Sequence, residues 1–329
     1  MIAERLTASI LGQALGDALG FVVEAQSPEV AQAYVDDWLR TGRAGERSHP
    51  QFSFGQYTDD TQLARELLRS FQQARCWDPA DFADHIAALF REGREVGAGR
   101  GTRTAVLRLL EGVPWHESGT PHPYAGNGAA MRAGPLGLLV PDDAAMCRAA
   151  AEQARITHLD PRCAAGSAVI ARAVALAARR QPLHAGDFIE DLAACAALTD
   201  RTVAAATREL AQWVTLTPLQ AAQHLHASGL DRAHSEKWQG ISAFVTPSVL
   251  WSLYAFLRSP DDYWETICTA IAVGGDTDTM AAMAGAISGA RVGVEALPTD
   301  LVERVHDRGE WGAPALAELA TACGSISGA

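Results

Sequence analysis

Apolar residues recur along this chain at helical spacing. Leu63, Leu67, Leu68 and Phe71, for example, fall on one face of a predicted helix. Alanine and leucine dominate, and the alternating valine or isoleucine runs that mark strands are nearly absent. Polar residues punctuate the helix starts. Ser27-Pro28-Glu29 sets a capping hydroxyl, a proline at the first helical position and an acid in the first turn. Asp78-Pro79, Thr217-Pro218, Thr246-Pro247 and Ser259-Pro260 repeat the device. The pattern predicts helices near 4–19, 28–40, 60–75, 79–92, 101–111, 129–139, 143–156, 162–179, 187–197, 201–213, 218–225, 247–257, 260–271, 279–290, 297–306 and 314–322. The longer polar connections are 41–57 and 112–128, and connections of that length in a compact domain are often functional. No linker divides the chain, so residues 1–329 read as one all-α domain.

Composition narrows the picture. The 329 residues carry 39 acidic and 27 basic side chains, a formal charge of −12. That balance argues against nonspecific nucleic-acid binding while leaving room for a local basic patch. The single lysine is Lys237. Cys76, Cys147, Cys163, Cys195, Cys268 and Cys323 show no metal-type spacing. They read as buried thiols of a reducing compartment, although their even number permits disulfides. Glu4 and Arg5 interrupt the N-terminal text, which does not resemble a signal peptide, and no stretch of membrane-spanning length is free of charge or proline. A soluble cytoplasmic protein without a membrane partner is expected. Gly12, Gly16 and Gly20 recur every four residues in the first helix, a cost in helix propensity that close helix packing explains better than a ligand.

The candidate chemistry lies in two acidic clusters. GGDTDT at 274–279 places Asp276 and Asp278 among threonines in small, apolar text. TDDT at 58–61 places Asp59 and Asp60 where an apolar helix begins. One aspartate in each is accounted for as a helix cap; the second is not. Adjacent acids at a buried helix start repel unless solvated or paired, and a hard divalent cation relieves that repulsion. Thr58, Asp59, Asp60, Asp276, Asp278 and Thr279 together offer an all-oxygen set suited to Mg²⁺ or Mn²⁺. Four carboxylates suit two bridged cations better than one. Taken alone, GNG at 126–128 is a turn, Tyr124 a packing residue, Glu24 a surface acid, and His158 stands at a helix end.

ILGQALGDALGFVVE, YTDDTQLA, GNGAAMR, the Thr157-His158 pair and GGDTDTMAAMAGA occur in that order over residues 10–286, and this succession resembles the ADP-ribosylglycohydrolase family. The resemblance implies a single compact orthogonal helical domain with a two-metal centre, usually Mg²⁺ and in some members Mn²⁺. It implies Thr58, Asp59 and Asp60 as one ligand set and Asp276, Asp278 and Thr279 as the other. Glu24 resembles the mobile glutamate that takes part in catalysis, with Asp59, Asp60 or Asp276 as alternative partners of the water. Gly126, Asn127, Gly128 and Met131 resemble the loop that cradles the phosphates and adjacent ribose, leading into a helix at 129. His158 resembles the histidine near the diphosphate, and Tyr124 is placed to stack on a base or ribose. EVGAGRGT at 95–102 departs from the arginine-directed members: Val96 stands where they often place an aspartate, and Gly97-Ala98-Gly99 is closer to the serine-directed group. The implied activity is metal-dependent hydrolysis of the glycosidic bond between ADP-ribose and a protein side chain or small molecule. Two other classes remain open: a two-metal phosphohydrolase, and an ADP-ribose-binding protein without turnover.

Overall fold

The computed structural model describes residues 2–230 and 238–327. Their helices are α1 Ile2–Gly20, α2 Pro28–Tyr34, α3 Asp59–Ala74, α4 Pro79–Arg91, α5 Arg100–Leu110, α6 Leu136–Leu139, α7 Asp143–Thr157, α8 Pro161–Ala177, α9 Ala185–Ala196, α10 Arg201–Trp213, α11 Pro218–Leu225, α12 Val245–Arg258, α13 Tyr263–Ala272, α14 Thr277–Val292, α15 Thr299–Val302 and α16 Ala313–Ser327. Among the described residues no sheet forms; pairings such as Thr120 with His158 are isolated bridges. The architecture is one compact all-helical domain, as the periodicity predicts.

Its centre is the pair α1 and α14. Both are apolar on nearly every side, the mark of helices enclosed by others. The glycine repeat explains their closeness. A Cβ on Gly12 would lie 2.5 Å from the Gly285 carbonyl oxygen, and Gly16 and Gly20 meet the Ala281 and Thr277 carbonyls in the same way. The backbones therefore touch where side chains would hold them apart. Helices α8, α12 and α13 flank α14, and α16 covers α1. Residues Ile2–Val23 are long and apolar enough to cross a membrane, with mean hydropathy 1.5, yet 89% of that window is buried inside the fold.

Most predicted helix starts are capped as expected. Ser27, Asp78 and Thr217 accept from backbone N–H groups, and Thr217 completes a capping box with Gln220. Several expectations are corrected. Thr246 is not a cap, because α12 begins one residue before it. Asp262, not Ser259, caps α13 through the Glu265 N–H at 3.0 Å. The helix predicted at 129–139 shrinks to the single turn α6, since Pro135 lacks the N–H and its ring obstructs the helix before it. Residues 127–133 instead form successive tight turns closed on Asn127 and Ala130. The helix predicted at 297–306 is likewise only the short α15. Cys147 and Cys195 are joined as a disulfide between α7 and α9, against the expectation of thiols throughout. Cys76 is exposed, while Cys163, Cys268 and Cys323 are buried free thiols. Lys237 lies outside the described residues.

Candidate active site

The start of α3 is built around a residue that sequence reading passed over. Asp17, in the last turn of α1, is fully buried. It accepts the Thr58 N–H at 2.9 Å, the Thr61 N–H at 3.0 Å and the Thr61 hydroxyl at 2.6 Å. The Thr58 hydroxyl sits 2.9 Å from Asp17 Oδ1 and 2.8 Å from Asp60 Oδ2. Asp17 thus takes the donors at the start of α3, where a helix favours negative charge, and Asp59 and Asp60 line the cleft. Asp59 donates its own N–H to the Val96 carbonyl at 2.7 Å, which brings the Gly97 turn against its carboxylate.

The start of α14 is threaded between two other segments. The Gly275 N–H bonds the Gln26 carbonyl at 3.0 Å, and the Asp276 N–H bonds Ile241 at 2.8 Å. The first of these contacts brings in Glu24, one residue past the 3₁₀ turn Phe21–Val23. One carboxylate oxygen each from Glu24, Asp276 and Asp278 lie within 4.8 Å of one another. Asp278 also receives the Thr279 N–H at 2.9 Å.

Opposite these acids stands a neutral cradle. Asn127 ties the two sides together, donating to Asp276 and, at 2.9 Å, to the Ser248 hydroxyl. His158 is buried at the end of α7, behind Gly101, Gly126 and Gly128. A Cβ on Gly101 would stand 2.9 Å from its Nε2, and one on Gly126 3.1 Å. The Tyr124 ring stacks on His158 at 5.9 Å between centroids. One cleft of about 100 Å³ is lined by Glu24, Asp59, Asp60, Asp276, Asp278 and Thr279 on the acidic side. Gly99, Tyr124, Gly126, Asn127, Gly128, Met131 and His158 line the other, and Gly97 lies at the seam beside Asp59. Of the predicted site residues, Thr58 alone does not reach the cleft wall; it lies buried behind Asp59 and Asp60. Gly101, Thr102, Trp238 and Ala243 are wall residues that sequence reading missed. Larger hollows exist elsewhere. One of about 400 Å³ pairs its acids with Arg69 and His85, and one of about 680 Å³ is walled by apolar side chains such as Leu219 and Trp251. Neither gathers crowded acids facing a cradle.

The electrostatics follow from crowding. Burial pushes Asp17 up to about 7, against the pull of its threonine hydrogen bonds. Burial and the charges of Asp276 and Asp17 push Glu24 up to about 7. Asp59, Asp60 and Asp278 are held well above the usual carboxylate range by burial and by their acidic neighbours. Arg132, a buried guanidinium pushed down to about 9 by burial, acts on Asp59 from behind. Burial, with Arg132 nearby, pushes His158 down to about 3, so its imidazole is neutral near pH 7. Asp60 Oδ1 is buried without a hydrogen-bond partner. An orphaned carboxylate oxygen among repelling acids fits a hard cation, and the all-oxygen donor set fits Mg²⁺ or Mn²⁺.

A family model described as ADP-ribosylglycohydrolase matches residues 1–326. The chain is 30% identical over 312 residues to the ADP-ribosyl-(dinitrogen reductase) glycohydrolase of Rhodospirillum rubrum, covering 92% of this chain and 91% of that one. It is 28% identical over 325 residues to the ADP-ribosylhydrolase ARH3 of Bos taurus, covering 89% of this chain and 86% of the relative. A solved structure described as an ADP-ribosylglycohydrolase-related protein complex superimposes with a TM-score of 0.71 at 26% identity, covering 99% of both chains.

Proposed function

The chain belongs to the ADP-ribosylglycohydrolase family, and from that premise we propose that it cleaves the N- or O-glycosidic bond joining ADP-ribose to a protein side chain or small molecule, releasing ADP-ribose. The observation that carries this reading is the cleft itself, with crowded carboxylates on one wall and a neutral glycine–histidine cradle on the other. Asp59 and Asp60 from α3, Asp276 just before α14, and Asp278 and Thr279 in its first turn would hold two divalent cations, Mg²⁺ foremost and Mn²⁺ second, with Thr58 supporting the first set. Such ions, when bound, supply the positive charge that fixes sugar hydroxyls and acidifies water.

The chain's own groups do the rest. Glu24, pushed up to about 7, matches the proton affinity a general base or acid needs near neutral pH. It takes the proton of the attacking water and returns one to the leaving group. Asp59, Asp60 and Asp276 are the alternative partners of that water. Asn127, held by Ser248, fixes the Asp276 carboxylate. The cradle glycines let an anionic ligand approach His158 without a side chain between them. Val96 is buried, and the neighbouring Glu95 is paired with Arg103 at 2.8 Å, so this segment offers no free acid to a guanidinium. That favours an acceptor other than arginine.

The test is incubation with arginine-linked, serine-linked and small-molecule ADP-ribosides, with Mg²⁺, Mn²⁺ or EDTA, reading released ADP-ribose by chromatography. Cation-dependent release from at least one substrate is expected. AMP as product would favour the phosphohydrolase, and tight binding of ADP-ribose without turnover the binding protein.

A further inference from the structure

Arg132 is fully buried, none of its hydrogen bonds among the described residues reaches a carboxylate, and its Nη1 has no partner. A guanidinium in that position is costly, so what it touches matters. Its Nε donates to Gln153 Oε1 at 2.7 Å. Its Nη2 donates to the Gln153 carbonyl and to the Thr157 hydroxyl oxygen, both at 2.9 Å. Gln153 is itself fixed, donating to the Ala129 carbonyl at 2.7 Å and to Ser167 at 3.0 Å. The Phe82 ring lies 5.4 Å from the guanidinium carbon. The side chain therefore has no freedom to turn.

Thr157 is the next link. Its hydroxyl oxygen accepts from Arg132 and lies 2.9 Å from His158 Nδ1. A guanidinium only donates, so the hydroxyl proton points away from Arg132; Nδ1 is the one other partner of this buried oxygen among the described residues, and the proton is left without an acceptor unless it goes there. Nδ1 then accepts, and the proton of the neutral imidazole resides on Nε2. That is the nitrogen facing Gly101 and Gly126.

We infer that Arg132 and Thr157 are positioning residues that fix His158 as an Nε2–H donor aimed into the glycine cradle, where it binds an anionic phosphate oxygen. The assignment of a diphosphate to the cradle rests on the function proposed above; the tautomer does not. A neutral donor suits the place. It recognises an anion without adding a positive charge beside a sugar that becomes positive during cleavage, and the burial that holds His158 near 3 keeps it neutral across the physiological range.

The test uses the full chain, Thr157→Val, which keeps the shape and removes the hydroxyl, and Thr157→Ser, which restores it. Nitrogen-15 spectra of the ring, with His158 assigned by its absence in His158→Gln, should show Nε2 protonated and Nδ1 bare in the natural protein and in Thr157→Ser. Thr157→Val should lose that single tautomer. Calorimetry should show ADP and ADP-ribose bound roughly 10- to 100-fold more weakly by Thr157→Val, the worth of a hydrogen bond to a charged group, with kcat changed much less. A proton on Nδ1 in the natural protein, or unweakened ADP binding by a folded Thr157→Val, overturns the inference. A protein that shows the Nε2–H signature and binds ADP, yet releases no ADP-ribose, defeats the proposed hydrolysis and leaves this inference standing.

Discussion

The two walls of the cleft solve opposite problems. On one, Asp59, Asp60, Asp276 and Asp278 are buried together, and burial and the charges of acidic neighbours raise the proton affinity of Asp59, Asp60 and Asp278. On the other, His158 is buried neutral, and the chain approaches as bare glycine backbone. The acidic wall stands on the N-termini of α3 and α14, where the helix favours negative charge. The neutral wall is made of turns and the end of α7. The acidic wall is crowded until something positive arrives; behind the neutral one a chain of hydrogen bonds runs through Arg132, Gln153 and Thr157 to His158, with Arg132 Nη1 alone of that guanidinium's nitrogens unpartnered. A ligand with hydroxyls at one end and anionic phosphates at the other would use both.

The hardest blow to this contrast would fall on the acids. Asp278→Ala and Asp59→Ala are each expected to reduce turnover to background and weaken Mg²⁺ and Mn²⁺ binding in calorimetry. The metal-free variants should melt no lower than the natural protein at pH 8, because removing one crowded acid relieves repulsion. Near-normal turnover in either would put the site elsewhere.

Glu24 belongs to the acidic wall, and Glu24→Gln separates chemistry from binding. It should lower kcat by about 10²–10⁴, the range for a general acid–base group, while ADP-ribose affinity falls far less. Equal losses in both would make Glu24 a ligand organiser.

Asp17 sharpens the contrast from behind. Asp17→Asn turns an amide N–H toward the Thr58 and Thr61 donors and should cost about 1–3 kcal/mol in urea unfolding, the penalty for an unsatisfied buried group. Turnover should fall with it, as the α3 acids lose their register. Unchanged stability would mean that Asp17 does not organise α3.

The smallest effect concerns pH. In the folded, metal-free chain Asp17 and Glu24 keep their protons up to about 7, against ordinary values of 3.8 and 4.5. The folded state thus binds more protons than the unfolded one between those limits. Stability from these groups is present below the ordinary values and is lost as pH rises through about 7. Saturating Mg²⁺ would take the place of protons on the cleft acids and lower the proton affinity of Glu24 beside them, so the gain in Tm on adding it should be larger at pH 8 than at pH 5. An equal gain at both would show that the crowding is relieved without protons.

The walls also differed in legibility. The acidic wall was readable because TDDT and GGDTDT are contiguous and spend more acids than capping needs. Asp17 is not, because its partners lie 41 and 44 residues away and a single acid in an apolar helix carries no spacing signal. The cradle became visible through the family resemblance, since single glycines and one histidine carry no chemistry by spacing. Arg132 carries the same signal as Asp17, a lone charge inside the apolar run AAMRAGPLG, with no partner legible by spacing. The alanines of 129–133 spoke for a helix that Gly134-Pro135 prevents. Most other helices followed their caps, because capping is local while the cleft is assembled by tertiary contacts.

The most direct measurement follows the oxygen of water. Turnover of an ADP-ribosylated substrate in ¹⁸O-labelled water, with Mg²⁺ present and products read by mass spectrometry, identifies the bond that breaks. Cleavage at the glycosidic carbon places one label on the ribose of intact ADP-ribose and none on phosphate. Label on the phosphate of AMP, or label-free ADP-ribose, would contradict it.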